Sequence, residues 1–183
     1  ITENPDNLCS SRLMTQITED TFEQALHTLR EAQEIDLHGV SFIDPYGMVC
    51  LLEIGELLKS KGVQKILHLP ESEEVLKYLE RMDFFRFADG YFTLKPSQPQ
   101  ISEKYLRNQS SDVLLEITSI EKSDDIHFIV GKVKERAQAI LAKHLHYDER
   151  AINGFIVALS EVCQNIIEHS ETKGFVGIQK YHF

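Results

Sequence analysis

Apolar residues return at three- and four-residue intervals in several stretches of the chain, which is the period of a helix with one buried face. Phe22, Ala25, Leu26 and Leu29 predict a first helix, with Asp20 or Thr21 as its N-cap. Met48, Leu51, Leu52, Leu57 and Leu58 predict a second, entered through a turn at Asp44-Pro45-Tyr46-Gly47 and stopped by Gly62. Val75, Leu76, Leu79 and Met82 predict a third, opened by Pro70-Glu71-Ser72 with acidic residues in its first turn. Ile126, Ile129, Val130, Val133, Ala137, Ile140 and Leu141 predict a long fourth helix, and Ile152, Phe155, Ile156, Leu159, Cys163, Ile166 and Ile167 a fifth. Between them, residues 34–40, 63–69, 91–94, 113–120 and 174–181 read as short strands, with Phe84, Phe85 and Phe87 leading into the third of these.

Strands alternating with helices imply an α/β fold whose sheet is largely parallel, with crossover connections. Lys95-Pro96-Ser97-Gln98-Pro99-Gln100 breaks the pattern, because two prolines among polar residues support neither element. The chain therefore divides into a polar N-terminal segment (1–12), a small α/β domain (13–95), a linker (96–112) and a second unit (113–183) that runs strand, helix, helix, strand. Four elements make a thin core, and a last strand without a neighbour leaves an open edge. The second unit is expected to be incomplete, and the start at Ile1, without a methionine, suggests a trimmed beginning.

Composition narrows the classes of function. The chain has 183 residues, 42% hydrophobic and 26% charged, which is the balance of a globular protein. A formal net charge of -10 opposes nonspecific nucleic-acid binding, because phosphates would be repelled. No stretch is long and apolar enough to span a bilayer, and the N-terminus has no signal-peptide pattern. Cys9, Cys50 and Cys163 are odd in number and far apart, and no Cys-x-x-Cys pair occurs. Cys50 and Cys163 sit inside apolar stretches and read as small buried hydrophobes, which fits a reducing cytoplasm, and neither a zinc site nor a disulfide framework is expected. His144 and His146 diverge at a helix end and make no metal pair, and Ser110-Ser111-Asp112 is linker.

Candidate chemistry gathers on the fifth helix, residues 151–169. Glu161, Asn165 and His169 follow one another at four-residue steps, on the side roughly opposite the apolar stripe. A carboxamide oxygen suits magnesium, which prefers hard oxygen ligands, and a carboxylate one turn away suits a general base. The same spacing also fits a solvated helix face, and spacing alone leaves both readings open.

The segment Ser160-Glu161-Val162-Cys163-Gln164-Asn165-Ile166-Ile167-Glu168-His169 resembles the N-box of the GHKL (Bergerat-fold) ATPases, in the form found in anti-sigma-factor serine kinases. The order strand, long helix, motif helix, strand over residues 110–183 is similar to the front half of that domain. The resemblance implies Glu161 as catalytic base, Asn165 as magnesium ligand, and Asn165 with His169 beside a Mg-ATP cofactor. The family also carries an aspartate-glycine box and a glycine-rich lid. After Asn165 the chain has only Gly174 and Gly177 and no aspartate, so Mg-ATP is expected only for a complete ATPase domain and not for this chain alone.

Residues 15–95 resemble the STAS domain of anti-sigma-factor antagonists, through Ile35-Asp36-Leu37-His38-Gly39-Val40-Ser41-Phe42-Ile43-Asp44-Pro45-Tyr46-Gly47-Met48. In that family a serine before the glycine is phosphorylated, and the added charge at a helix N-terminus releases the partner. Here Tyr46 holds that position, preceded by Pro45, so it is a degenerate phosphorylation position. The two resemblances together imply an α/β chain with a STAS-like domain followed by an incomplete Bergerat-type sandwich. They imply a cytoplasmic, bacterial regulatory protein of the partner-switching type. Its expected partners are sigma-factor or anti-sigma-type regulatory proteins, with an intramolecular contact between the halves and self-association as a homodimer, and neither nucleic acid nor membrane. An ATP-dependent protein serine kinase cut short, and a non-catalytic α/β interaction module, are the alternatives.

Overall fold

The computed structural model describes residues 15–96, 113–137, 148–169 and 173–179, and the fold is mixed α/β. The expected N-terminal segment 1–12, all but Pro96 of the linker 96–112, Cys9 and the His144/His146 pair lie outside the described residues.

The elements run β1 (Gln16–Ile17), α1 (Glu19–Glu31), β2 (Glu34–Asp36), β3 (Phe42–Ile43), α2 (Pro45–Ser60), β4 (Lys65–His68), α3 (Glu73–Arg81), α4 (Phe84–Ala88) and β5 (Phe92–Lys95). Then come β6 (Val113–Ile120), α5 (Ser123–Ala137), α6 (Glu149–His169) and β7 (Gly174–Gln179). All pairings up to residue 95 are parallel, as the alternation of strands and helices requires. β1 pairs with β3, and a second ladder runs β2-β4-β5 with Asp36 opposite His68 and His68 opposite Lys95.

Several local expectations are corrected. α1 begins at Glu19, before Asp20 and Thr21; Thr18 stands at its start, its carbonyl accepting the Phe22 N–H at 2.9 Å. Asp44-Pro45-Tyr46-Gly47 is the first turn of α2 itself, not a turn ahead of it. Asp44 is the N-cap, accepting the Gly47 N–H at 2.7 Å, and Pro45 occupies the first helical position, where its missing N–H costs nothing. Phe84, Phe85 and Phe87 form the short helix α4 and do not lead directly into a strand. Gly62 follows α2 with φ of 71°, the left-handed conformation that ends a helix.

The strand pattern of residues 63–69 also hid one polar anchor. Lys65 is 7% exposed, and its ammonium donates to the carbonyls of Leu29 at 3.3 Å and Ala32 at 2.5 Å. Leu29 lies in the last turn of α1, so the buried charge is spent on carbonyls that the helix leaves unpaired.

Two apolar cores result. The first collects Ile17, Leu37, Met48, Leu51, Leu67, Phe84, Phe92 and their neighbours. The second collects Leu115, Ile126, Ile129, Val133, Ile156, Leu159 and Cys163 between β6, α5 and α6. The last strand has a neighbour after all: β7 pairs with β6, antiparallel. This two-stranded sheet is buried on both sides. Leu114, Leu115 and Ile120 enter the second core, whereas Val113, Ile117 and Phe175 enter the first. Register shifts between Val113 and Leu115, and between Leu115 and Thr118, let neighbouring residues break strict alternation. The run Val113-Leu114-Leu115 is the sequence mark of such a strand, because a strand covered on both faces shows no polar side.

Glu116 ties β6 to α5. Its Oε2 accepts from Lys132 Nζ and from Arg136 Nη1, both at 2.8 Å. Burial works to raise this carboxyl, but the two cations outweigh it and hold the group below the ordinary glutamate range.

Candidate functional site

α6 is built as its periodicity dictates. Ile152, Ile156, Leu159 and Cys163 are buried on one side, while Glu161, Asn165 and His169 are exposed on the other. A helix turns about 100° per residue, so four-residue steps drift by about 40° each. Glu161 therefore points directly away from the core, and Asn165 and then His169 swing toward the flank where β7 begins.

That drift decides which residues meet. Asn165 and His169 line an open depression of about 540 Å³, together with Val162, Ile166, Gly174, Phe175 and Glu53 of α2. Glu161 is not among the lining residues. The three members of the predicted line thus share one helix side, but only two share a concave surface. Among the described residues no three His, Cys, Asp or Glu side chains stand close enough to hold a metal ion. A magnesium ion at this ridge would meet the Asn165 amide oxygen and would draw most of its ligands from water and phosphate.

Among the described residues the donor set for phosphate does not fit. Phosphate cradles are built from backbone N–H groups in glycine-rich turns. Gly174 and Gly177 are both strand residues of β7. A Cβ on Gly174 would stand 2.5 Å from Ile166 Cγ2, and one on Gly177 would stand 3.3 Å from Ile117 Cγ1. Both positions are explained by close packing between β7 and its neighbours.

Glu53 was not foreseen in the sequence, where it falls on α2, more than a hundred residues from Asn165. It accepts the backbone N–H of Phe175, and burial pushes its carboxyl above the ordinary range despite that bond and the nearby Lys173. One turn along, Lys173 Nζ lies 3.4 Å from Glu56 Oε2 and 5.4 Å from the centre of the Tyr91 ring. Phe175 sits between Phe87, at 5.2 Å between ring centres, and Tyr91, at 6.2 Å, both edge to face. The Met82 carbonyl accepts the Ile117 N–H at 2.9 Å. The floor of the depression is therefore also the seam where residues 45–92 pack on the β6–β7 sheet. No single motif could reveal it, because its parts come from α2, α4, β6 and β7.

Tyr46 lies in the first turn of α2 and is 40% exposed, with its ring edge to face against Phe22 at 6.1 Å. Its hydroxyl is hydrogen-bonded to Cys50, and that thiol, with Glu23 and Glu19 nearby, raises it above the usual tyrosine range. Gly47 beside it leaves room for the chain: a Cβ there would stand 2.5 Å from the Ile17 carbonyl oxygen. Cys50 is half-buried and Cys163 buried, and both carry free thiols. Among the described residues no helix is long and apolar enough to cross a membrane.

Comparison with protein-family models, with curated proteins and with solved structures finds no match to this chain.

Proposed function

We propose that the chain is a cytoplasmic regulatory binding protein of the bacterial partner-switching type. A STAS-like unit, residues 13–95, packs on the front part of a GHKL-type nucleotide-binding unit, residues 113–183. In this reading Glu161 is the general base, Asn165 is the magnesium ligand, and His169 stands beside the nucleotide. The observation that carries it is the division of the second unit. One side of the β6–β7 sheet is sealed by Phe87, Tyr91 and Met82, whereas the Glu161–Asn165–His169 side of α6 is left exposed. A side chain kept for a soluble ligand must stay out of the core, and these three do.

Among the described residues no glycine-rich turn stands beside Asn165 and His169, so we assign the chain binding and regulation without turnover. The test uses the protein as its gene encodes it. Magnesium-dependent nucleotide binding and phosphoryl transfer to a serine of a partner would be measured for the wild type, Glu161→Ala and Asn165→Ala. Glu161→Ala is expected to abolish transfer while largely sparing binding, because a base acts only in the reaction. Asn165→Ala is expected to weaken the magnesium-dependent part of binding. Wild-type behaviour of both variants would remove the assignment. It would leave a non-catalytic interaction module.

A further inference from the structure

We propose that the groove between α1 and α2 receives a basic amphipathic helix of a partner protein. This proposal stands apart from the nucleotide reading; of its lining residues only Glu53 also borders the Asn165–His169 depression. Two adjoining depressions, of about 470 and 530 Å³, run along the seam between these helices and share Glu23, Leu26, Ile54 and Leu57. Their apolar lining continues through Phe22, Tyr46 and Cys50. On α2 the groove-lining residues Tyr46, Cys50, Glu53 and Leu57 follow one another at steps of four, three and four residues, Tyr46 and Leu57 exposed and Cys50 and Glu53 half-buried. Their rise is about 16 Å, or three helical turns, the span over which an amphipathic helix places its anchors. Tyr46 and Leu57 are each 40% exposed and mark the two ends of this track.

Charge selects the occupant. Glu23, Glu31, Glu53 and Glu56 stand along the lining, and among the described lining residues Lys61 alone is cationic. A second copy of this chain, whose net charge is -10, would bring like charge to this rim. An anionic bilayer would do the same. A helix with leucines on one side and lysines or arginines on the flanks meets both the apolar floor and the acidic rim.

The probe is a fluorescein-labelled Leu/Lys amphipathic peptide of the length of α2, 16 residues, followed by fluorescence anisotropy with the 183-residue chain. Its controls are a Leu/Glu peptide and a Ser/Lys peptide of equal charge without an apolar side. We expect the Leu/Lys peptide alone to bind, more weakly as salt is raised. The double variant Glu23→Lys/Leu57→Lys, both positions exposed, is expected to weaken binding by about tenfold or more. Val157→Lys, 68% exposed on α6, is expected to change it little. Circular dichroism and thermal melting establish that each variant is folded. Equal binding of the Ser/Lys peptide, binding of the Leu/Glu peptide, or indifference to the double variant would overturn the proposal. A dimer that Leu57→Lys dissociates, or binding to anionic phospholipid vesicles that the same change abolishes, would overturn it in favour of that occupant.

Discussion

Phe175 offers the sharpest test of how the two cores are joined. It belongs to β7, yet its ring is buried to 4% exposure in the core built by residues 17–94, between Phe87 and Tyr91. Truncating a buried phenylalanine removes its transfer free energy and leaves a cavity, together about 3–5 kcal/mol. The edge-to-face pairs put this site in the upper half of that range, at about 4 kcal/mol. For a chain of this size that lowers Tm by about 8–16 °C. In urea it lowers the midpoint by about 1.5 M, with the slope unchanged. The chain has six tyrosines and no tryptophan, so tyrosine fluorescence and far-ultraviolet circular dichroism are the suitable probes. Phe175→Ala should show the full loss, and Phe175→Leu only about 1–1.5 kcal/mol, because a leucine refills most of the space. A loss under about 1 kcal/mol for Phe175→Ala would refute the reasoning. That is what a surface aromatic would give, and β7 would then not belong to the first core.

Three further outcomes follow from the same geometry. Asp44→Ala should cost about 1–2 kcal/mol, since Asp44 caps α2 at 2.7 Å and its other oxygen lies 3.4 Å from the Glu19 N–H; Asp44→Asn should recover most of it in the same denaturation assay. Glu116 is held below the ordinary range when folded, so its bonds to Lys132 and Arg136 stabilise fully above the unfolded glutamate pKa of about 4.3 and fade as pH falls through the lower folded value. Glu116→Gln should therefore cost about 2 kcal/mol at neutral pH and less at pH below about 4, and an equal cost at both would contradict the pairing. Glu161→Ala, Asn165→Ala and His169→Ala should each leave stability within about 0.5 kcal/mol, because all three are exposed; a larger loss by thermal melting would mean that the ridge is structural.

Much of the fold was legible because amphipathic spacing reports burial directly. The stripe Ile152, Ile156, Leu159 and Cys163 is buried as its period requires, and β6 spans residues 113–120 as its apolar run indicates. Caps and short elements were harder. Asp44-Pro45-Tyr46-Gly47 has the composition of a turn and of a helix start alike, and only the Gly47 N–H bonded to Asp44 separates them. The two-residue strands β1 and β3 are too short to carry a period and exist because they pair with each other. The ridge Glu161, Asn165 and His169 was visible in spacing, but its company was not. Glu53, Lys173 and Phe175 share no local pattern with it, since they reach the site only when α2 packs against β7.

By itself, then, the order of apolar and polar residues determined which of the longer segments coil, which extend, and which side of each is buried, because those are short-range consequences of backbone geometry. Tertiary structure alone decided that β6 and β7 pair antiparallel between two cores. It also decided that Asn165 and His169 face Glu53 while Glu161 does not. Such contacts join residues distant along the chain, and packing chooses them by shape and charge once both surfaces exist.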